Sequence, residues 1–346
     1  MIRVEHLTKE FTRPRRQSGR LAGLRTLVTR EVERVVAVDD VSFEVAAGEM
    51  VGYLGPNGAG KSTTIKMMTG ILVPTSGTVD VGGIVPWEER QRNALQIGVV
   101  FGQRTQLWWD LPLRDSLDLI ATLYRMPPEV YRRQLDRFVE LLDMGEFLDR
   151  PVRQLSLGQR MRGDLAASMI YTPRILYLDE PTIGLDVVAK ATMREFIAEV
   201  NAEGTTVVLT THDLNDIERL CPRVILIDHG RVLYDGTVVE LKARYAPHRT
   251  LVLRLADVDT RIDPATVAAL GAELVPVGGA DGGRPDGGGP DGDDSAVRLR
   301  FAGEQTAASD LIAGLAAHYP IADVSIVEPD LEGVVHQIYS HRALPL

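Results

Sequence analysis

The nine residues Gly55-Pro56-Asn57-Gly58-Ala59-Gly60-Lys61-Ser62-Thr63 carry the clearest chemistry in this chain. A glycine, four residues and then Gly-Lys-Ser is a spacing that lets backbone N–H groups turn toward the α- and β-phosphates of a nucleotide. The N-terminus of the helix that follows adds partial positive charge. Lys61 then reaches the β- and γ-phosphates, and the Ser62 hydroxyl completes a Mg²⁺ site. A second constellation, Ile175-Leu176-Tyr177-Leu178-Asp179-Glu180-Pro181, ends four apolar residues on two acids. A buried strand delivering Asp179 at its C-terminal end places that carboxylate beside the magnesium, at the crevice where open α/β sheets bind ligands. Glu180 is the candidate base for an attacking water.

These groups need rigid elements behind them. Met50–Leu54 is a short apolar run that leads into the glycine-rich turn, and Thr63–Thr69 has helix-compatible composition: strand, loop, helix, the setting that a phosphate-binding loop requires. Gly98–Phe101, Ile175–Leu178, Thr206–Leu209 and Val224–Ile227 have the length of buried strands. Helical patterns at Ser116–Tyr124, Glu129–Leu142 and Leu157–Ile170 lie between Gln103 and Arg174, so a parallel core with a helical excursion is expected. Ile2–Phe11 and Val36–Val45 read as strands flanking a basic insert.

From Tyr245 onward the character changes. Strand patterns at Thr250–Leu255, Ala272–Val277, Ala296–Phe301 and Ile321–Val327 alternate with helical ones at Pro264–Leu270 and Gln305–His318. A small two-layer α/β appendage is expected there, interrupted at 278–294 by a Gly/Asp-rich stretch too polar to offset its ordering entropy. That stretch lacks the regular phase of a calcium-binding nonapeptide repeat and is read as a flexible loop.

At 346 residues the chain accommodates about two domains. No apolar run approaches the roughly 20 residues that span a bilayer, and the N-terminus has no signal-peptide core. A cytoplasmic location is expected, with any membrane role supplied by a partner. The single cysteine, Cys221, excludes an intrachain disulfide and is read as a packing residue. A net charge of −10 argues against a general nucleic-acid binder. Against that balance, residues 13–34 hold seven arginines and two glutamates, a net of +5.

Together with Gln103, Leu155-Ser156-Leu157-Gly158-Gln159 and His212, these segments resemble, in order, the ATP-binding subunit of an ABC transporter over about residues 1–245. The resemblance implies an α/β P-loop NTPase of ABC type. It has a mostly parallel core sheet, an antiparallel β subdomain and a helical subdomain at about 104–170, and a small α/β C-terminal domain follows over 246–346. It implies ATP and Mg²⁺ as ligands, with Gly55 to Thr63 on the phosphates and Ser62, Gln103 and Asp179 at the metal. Leu155–Gln159 is similar to the LSGGQ signature, which implies that Ser156, Gly158 and Gln159 contact the γ-phosphate on a second copy of the subunit. Leu157 stands where that pattern prefers glycine, and with its neighbours intact the contact is expected to survive. Gln103 resembles the Q-loop glutamine. The strand before it is one residue longer than the common form, which leaves Gln106 as a rival. His212 resembles the switch histidine on the γ-phosphate, Asp186 the D-loop residue facing across the dimer, and Phe11 the aromatic that stacks on adenine.

Residues 101–112, 181–190 and 328–332 are similar to exporter-type ATPases of the daunorubicin-resistance kind, which implies work with a separate multi-spanning permease at the inner face of the membrane. Trp108 and Trp109 have two open readings, anchors for that permease or core residues. So does the insert: Leu21, Leu24, Leu27 and Val28 fit one face of a basic amphipathic helix suited to anionic lipid, or a solvated loop. The alternative function is a soluble ABC ATPase acting on ribosomes or nucleic acid. One ATPase domain and the lack of a heptad run speak against it.

Overall fold

The structure is a computed structural model. It describes residues 1–14, 32–102, 104–211, 213–245, 248–257, 260–275, 296–302, 306–327 and 331–342. Gln103, His212, the insert residues 15–31, the Gly/Asp-rich loop 278–294 and Glu328 to Asp330 therefore lie outside the described residues. The chain separates into two compact units, Met1–Val238 and Val239–Leu346.

The first unit is organised around a six-stranded sheet. Its strands are β3 (Met50–Leu54), β5 (Ile97–Phe101), β6 (Ile175–Asp179), β7 (Thr206–Thr210), β8 (Arg223–Asp228) and β9 (Arg231–Thr237). Their order is β5-β6-β7-β3-β8-β9, parallel except for β9, which pairs antiparallel with β8. The near-continuous apolar sequences of β3, β6 and β7 follow from burial on both faces of a parallel sheet. Against it stands a three-stranded antiparallel sheet of order β2-β1-β4, formed by β1 (Ile2–Pro14), β2 (Val32–Val45) and β4 (Ser76–Val81). Ile2, Val4, Val41, Phe43, Val79 and Val81 bury one face of it in the same core as Val51, Tyr53 and Tyr177.

The β1–β2 hairpin runs further than the sequence suggests. Pairing continues through Phe11↔Val35 and Arg13↔Glu33 to Pro14↔Val32, so both ends of the basic insert belong to a strand ladder rather than to a loop. An Arg34–Glu10 ion pair at 3.9 Å crosses this extension.

Helix α1 (Lys61–Met68) follows the glycine-rich turn, and α2 (Arg90–Gln96) precedes β5. Between β5 and β6 come α3 (Leu113–Leu123), α4 (Pro128–Leu141), a 3₁₀ turn and α5 (Leu157–Met169). α3 buries Leu113, Leu117, Ile120 and Ala121, a helical spacing on one face. α5 is buried along much of its length and is rich in small residues, which lets it come close to its neighbours. A Cβ on Gly98 of β5 would lie 2.3 Å from the Ser168 carbonyl of α5, and one on Gly163 would lie 2.8 Å from Leu113 Cδ1. Helices α6 (Val187–Ala202) and α7 (Leu214–Leu220) follow β6 and β7.

The second unit contains β10 (His248–Leu255), α9 (Pro264–Ala269), β11 (Ala272–Val275), β12 (Ala296–Ala302), α10 (Ala308–Ala316) and β13 (Ile321–Val327). It is flanked by α8 (Val238–Tyr245) and α11 (Leu331–Arg342). The sheet order β11-β12-β10-β13, antiparallel throughout, is that of the split β-α-β-β-α-β motif. Leu251, Leu253, Leu299 and Phe301 alternate onto one face and pack with Val267, Leu311 and Leu315 of α9 and α10.

Candidate functional site

The turn from β3 into α1 has a backbone that only its glycines permit. Gly58 and Gly60 sit at φ +87° and +106°, in the left-handed region. A Cβ on Gly60 would lie 2.4 Å from the Ala37 carbonyl oxygen, and one on Gly55 would lie 2.5 Å from that of Ile227. The turn closes through Ala59 N–H donating to the Pro56 carbonyl at 3.1 Å. Lys61 opens the helix and turns back, its ammonium donating to the carbonyls of Gly55 at 2.6 Å and Pro56 at 3.2 Å. Burial pulls the Lys61 pKa down, and the carboxylates of Glu180 and Asp179 oppose that shift. The ammonium is thus partly stripped of water, which strengthens its attraction for a polyanion.

Parallel pairing brings the second constellation to the same place. Register sets Asp179 opposite Phe101 on one side and Thr210 on the other. Asp179 Oδ1 accepts from Thr210 Oγ1 at 2.6 Å and from Ser62 Oγ at 3.3 Å. An alcohol and a carboxylate in contact are hard oxygen donors of the kind Mg²⁺ takes, with phosphate oxygens and water completing its shell. The residues present therefore fit that ion.

Glu180 leaves the strand with φ +56°, unusual for a residue with a side chain, and its N–H donates to the Thr210 carbonyl at 2.9 Å. A cleft of about 470 Å³ is lined by Ser62, Lys66, Ile71, Phe101, Gly102, Arg104, Asp179 and Glu180.

A second cluster forms at the start of α5. Ser156 caps the helix, its Oγ accepting from Gln159 N–H at 3.2 Å while Gln159 Oε1 accepts from Ser156 N–H at 3.0 Å. A Cβ on Gly158 would meet Ala189 Cβ at 3.2 Å, and one on Gly184 would meet Leu157 Cδ2 at 2.9 Å. Leu157 thus packs on the turn before α6. Asp186 caps α6 by accepting from Ala189 N–H at 2.8 Å.

Comparison with known proteins decides the family. The family model described as ABC transporter matches residues 38–183. The daunorubicin/doxorubicin resistance ATP-binding protein of Streptomyces peucetius is 38% identical over 241 residues, covering 69% of this chain and 71% of that protein. The ABC transporter ATP-binding protein NatA of Bacillus subtilis is 33% identical, covering 60% of this chain and 84% of that one. The chain belongs to the ABC transporter ATP-binding proteins. A dimeric post-hydrolysis structure of the ATP-binding cassette MJ0796 with ADP and Pi aligns with a TM-score of 0.58 at 26% identity, over 69% of this chain and 99% of that one. The expected fold is accordingly that of an ABC ATPase, and the enzyme hydrolyses ATP.

Several residues of this ABC ATPase escape a reading by motif. Thr210 touches Asp179 only because β6 and β7 are in parallel register. Asp164 of α5 is buried and accepts from Thr105 Oγ1 at 2.9 Å and Gln106 N–H at 3.0 Å. Burial pushes its pKa up to about 6, against those two hydrogen bonds and the charge of Arg160. The Gln106 amide donates to the Asp164 carbonyl at 3.1 Å, so this rival to Gln103 is engaged with α5.

Phe11 is half-buried on β1, with the Lys9 ammonium 5.4 Å from its ring centroid. Trp108 and Trp109 are 39% and 49% exposed, which overturns their reading as core; the Arg160 guanidinium lies 5.5 Å from the Trp109 ring. Cys221 is buried, and burial pushes its thiol pKa up, in keeping with a packing role. Among the described residues no helix is long and apolar enough to cross a membrane.

Proposed function

We propose that this ATPase pairs with a second copy of itself around two ATP molecules and powers export through a separate membrane permease. The contact of Ser62 and Asp179, with Lys61 folded over the glycine-rich turn beside them, carries the catalytic part of the reading. Backbone N–H groups of residues 55–63 and the Lys61 ammonium hold the phosphates, and Phe11 stacks on the base. Mg²⁺ held by Ser62, Asp179 and Gln103 would neutralise charge on the β- and γ-phosphates. Glu180 orients and deprotonates the attacking water, while His212 and Gln103 hold the γ-phosphate and its surroundings. Ser156, Gly158, Gln159 and Asp186 face the nucleotide bound to the other copy. The Ser156–Gln159 capping pair presents a helix N-terminus, a charge pattern suited to phosphate.

The exposed Trp108 and Trp109 support a permease contact just past Gln103, because aromatic anchors are frequent at interface hot spots. The test is purification of tagged Glu180→Gln protein from detergent-solubilised membranes with ATP present. A stoichiometric multi-spanning partner is the expected companion. Recovery only from the soluble fraction with ribosomal proteins or nucleic acid would overturn the transport reading and leave the ATPase chemistry standing.

A further inference from the structure

The sheet of the second unit ends on an open strand. β13 pairs with β10, and among the described residues no strand lies against its outer edge. Register sets Val324 opposite Leu253 and Ile326 opposite Leu251, which puts all four on one face. Leu251 and Leu253 are fully buried with side chains of α9 and α10, yet Val324 and Ile326, one strand further out, are 37% and 43% exposed. The core therefore stops at β10. β13 also lacks what usually blunts an edge, since its seven residues include no lysine, arginine or proline. Its single charge is Asp323, whose Oδ1 accepts from Val324 N–H at 2.9 Å. The one register shift against β10 falls before Asp323, so residues 323–327 pair without a bulge. The opposite edge, β11, has four residues and includes Glu273.

We propose that β13 pairs antiparallel with β13 of a second copy of this chain, joining two four-stranded sheets into one. The strand is complementary to itself. A two-fold axis through Ser325 pairs every residue of 323–327: Val324 with Ile326 of the other copy, Asp323 with Val327, and Ser325 with its own equivalent. Apolar side chains then meet on the helix-covered face. The two aspartates stand at opposite ends of the ladder, so no like charges oppose each other. Centring the axis on Asp323 would instead set aspartate against aspartate. The open N–H and C=O groups of each edge satisfy those of the other. Such a contact is isologous: each copy uses its one β13, and assembly closes at two. It is small and belongs to the weak class of interfaces. No nucleotide takes part, so it is separate from the pairing proposed around ATP.

Sedimentation equilibrium of the nucleotide-free full chain over a concentration series tests this. The parent self-associates to a dimer and no further. Val324→Lys with Ile326→Lys sets lysine against lysine twice across the axis and raises the dimer Kd at least about tenfold. Val324→Lys with Ile326→Glu places each lysine against a glutamate of the other copy and brings Kd back toward that of the parent. Both positions are exposed, so Tm and ATP hydrolysis stay at parental values in the two variants, which separates lost pairing from lost folding. A parent that remains monomeric throughout overturns the proposal. So does a Kd unchanged by the two lysines, or one that the lysine–glutamate variant fails to recover. Dimerisation of ATP-bound Glu180→Gln is read separately, and its absence would count against the pairing around ATP alone.

Discussion

Glu180 stands at a backbone angle that costs energy in a residue with a side chain, one step beyond a carboxylate locked to Thr210 and Ser62. Such a position separates two jobs that adjacent acids could otherwise share. Asp179 is committed to hydroxyls, and Glu180 is turned out of the strand direction. Replacing Glu180 with glutamine keeps the volume and removes the base, so turnover falls about 10²–10⁴-fold with ATP binding retained. Single-turnover hydrolysis beside equilibrium nucleotide binding checks this, and full turnover would sink the assignment. Asp164 offers a prediction of the opposite kind, about stability. Its folded pKa of about 6 lies above the ordinary carboxylate value, so the native state binds more protons than the unfolded chain between about 4 and 6. The resulting stabilisation is complete below that window and is lost as pH rises through it. Asp164→Asn keeps an acceptor for Thr105 but does not titrate. The Tm difference, variant minus parent, should therefore increase from pH 4 to 7, and a flat difference would remove Asp164 as the cause.

At the scale of elements, α5 is the clearest case of a helix whose start matters twice. The Ser156–Gln159 box satisfies N–H groups that a bare helix end would leave open. Ser156→Ala should cost about 1 kcal/mol before nucleotide enters the argument. That corresponds to a fall in Tm of about 2–4 °C for a domain of this size, measurable without ATP. An unchanged Tm would mean the box contributes nothing to the fold. Elements also show what a sequence can disclose. β3, β6, β7 and β8 were legible because strands buried on both faces must be apolar throughout, Asp179 because it ends such a run, and Lys61 and Ser62 because of the glycine spacing before them. β4 and β9 were not, since these edge strands mix polar residues and a glycine among few apolar ones. The contacts of Thr210 and Asp164 were also hidden. They depend on register and helix packing between segments up to 59 positions apart, as in Thr105–Asp164. The two tryptophans illustrate the same limit, because composition alone does not say which side of a helical subdomain faces out.

The whole molecule divides its labour between two units with separate cores. Every described residue given a part in nucleotide chemistry lies in Met1–Val238, and the second unit has its own sheet and helices. A chain ending at Tyr245 should therefore hydrolyse ATP at the full-length rate, measured in steady state on soluble protein. A folded truncation that has lost hydrolysis would assign the second unit a direct part in turnover. The lone, buried Cys221 has a practical corollary. With its thiolate suppressed and shielded, the unaltered chain is a quiet background for site-directed labelling. A cysteine introduced at Val187, 82% exposed beside Asp186, would take a spin label or fluorophore almost alone. Distances between two such labels would then report the approach and separation of paired subunits through each ATP cycle, with no other residue changed.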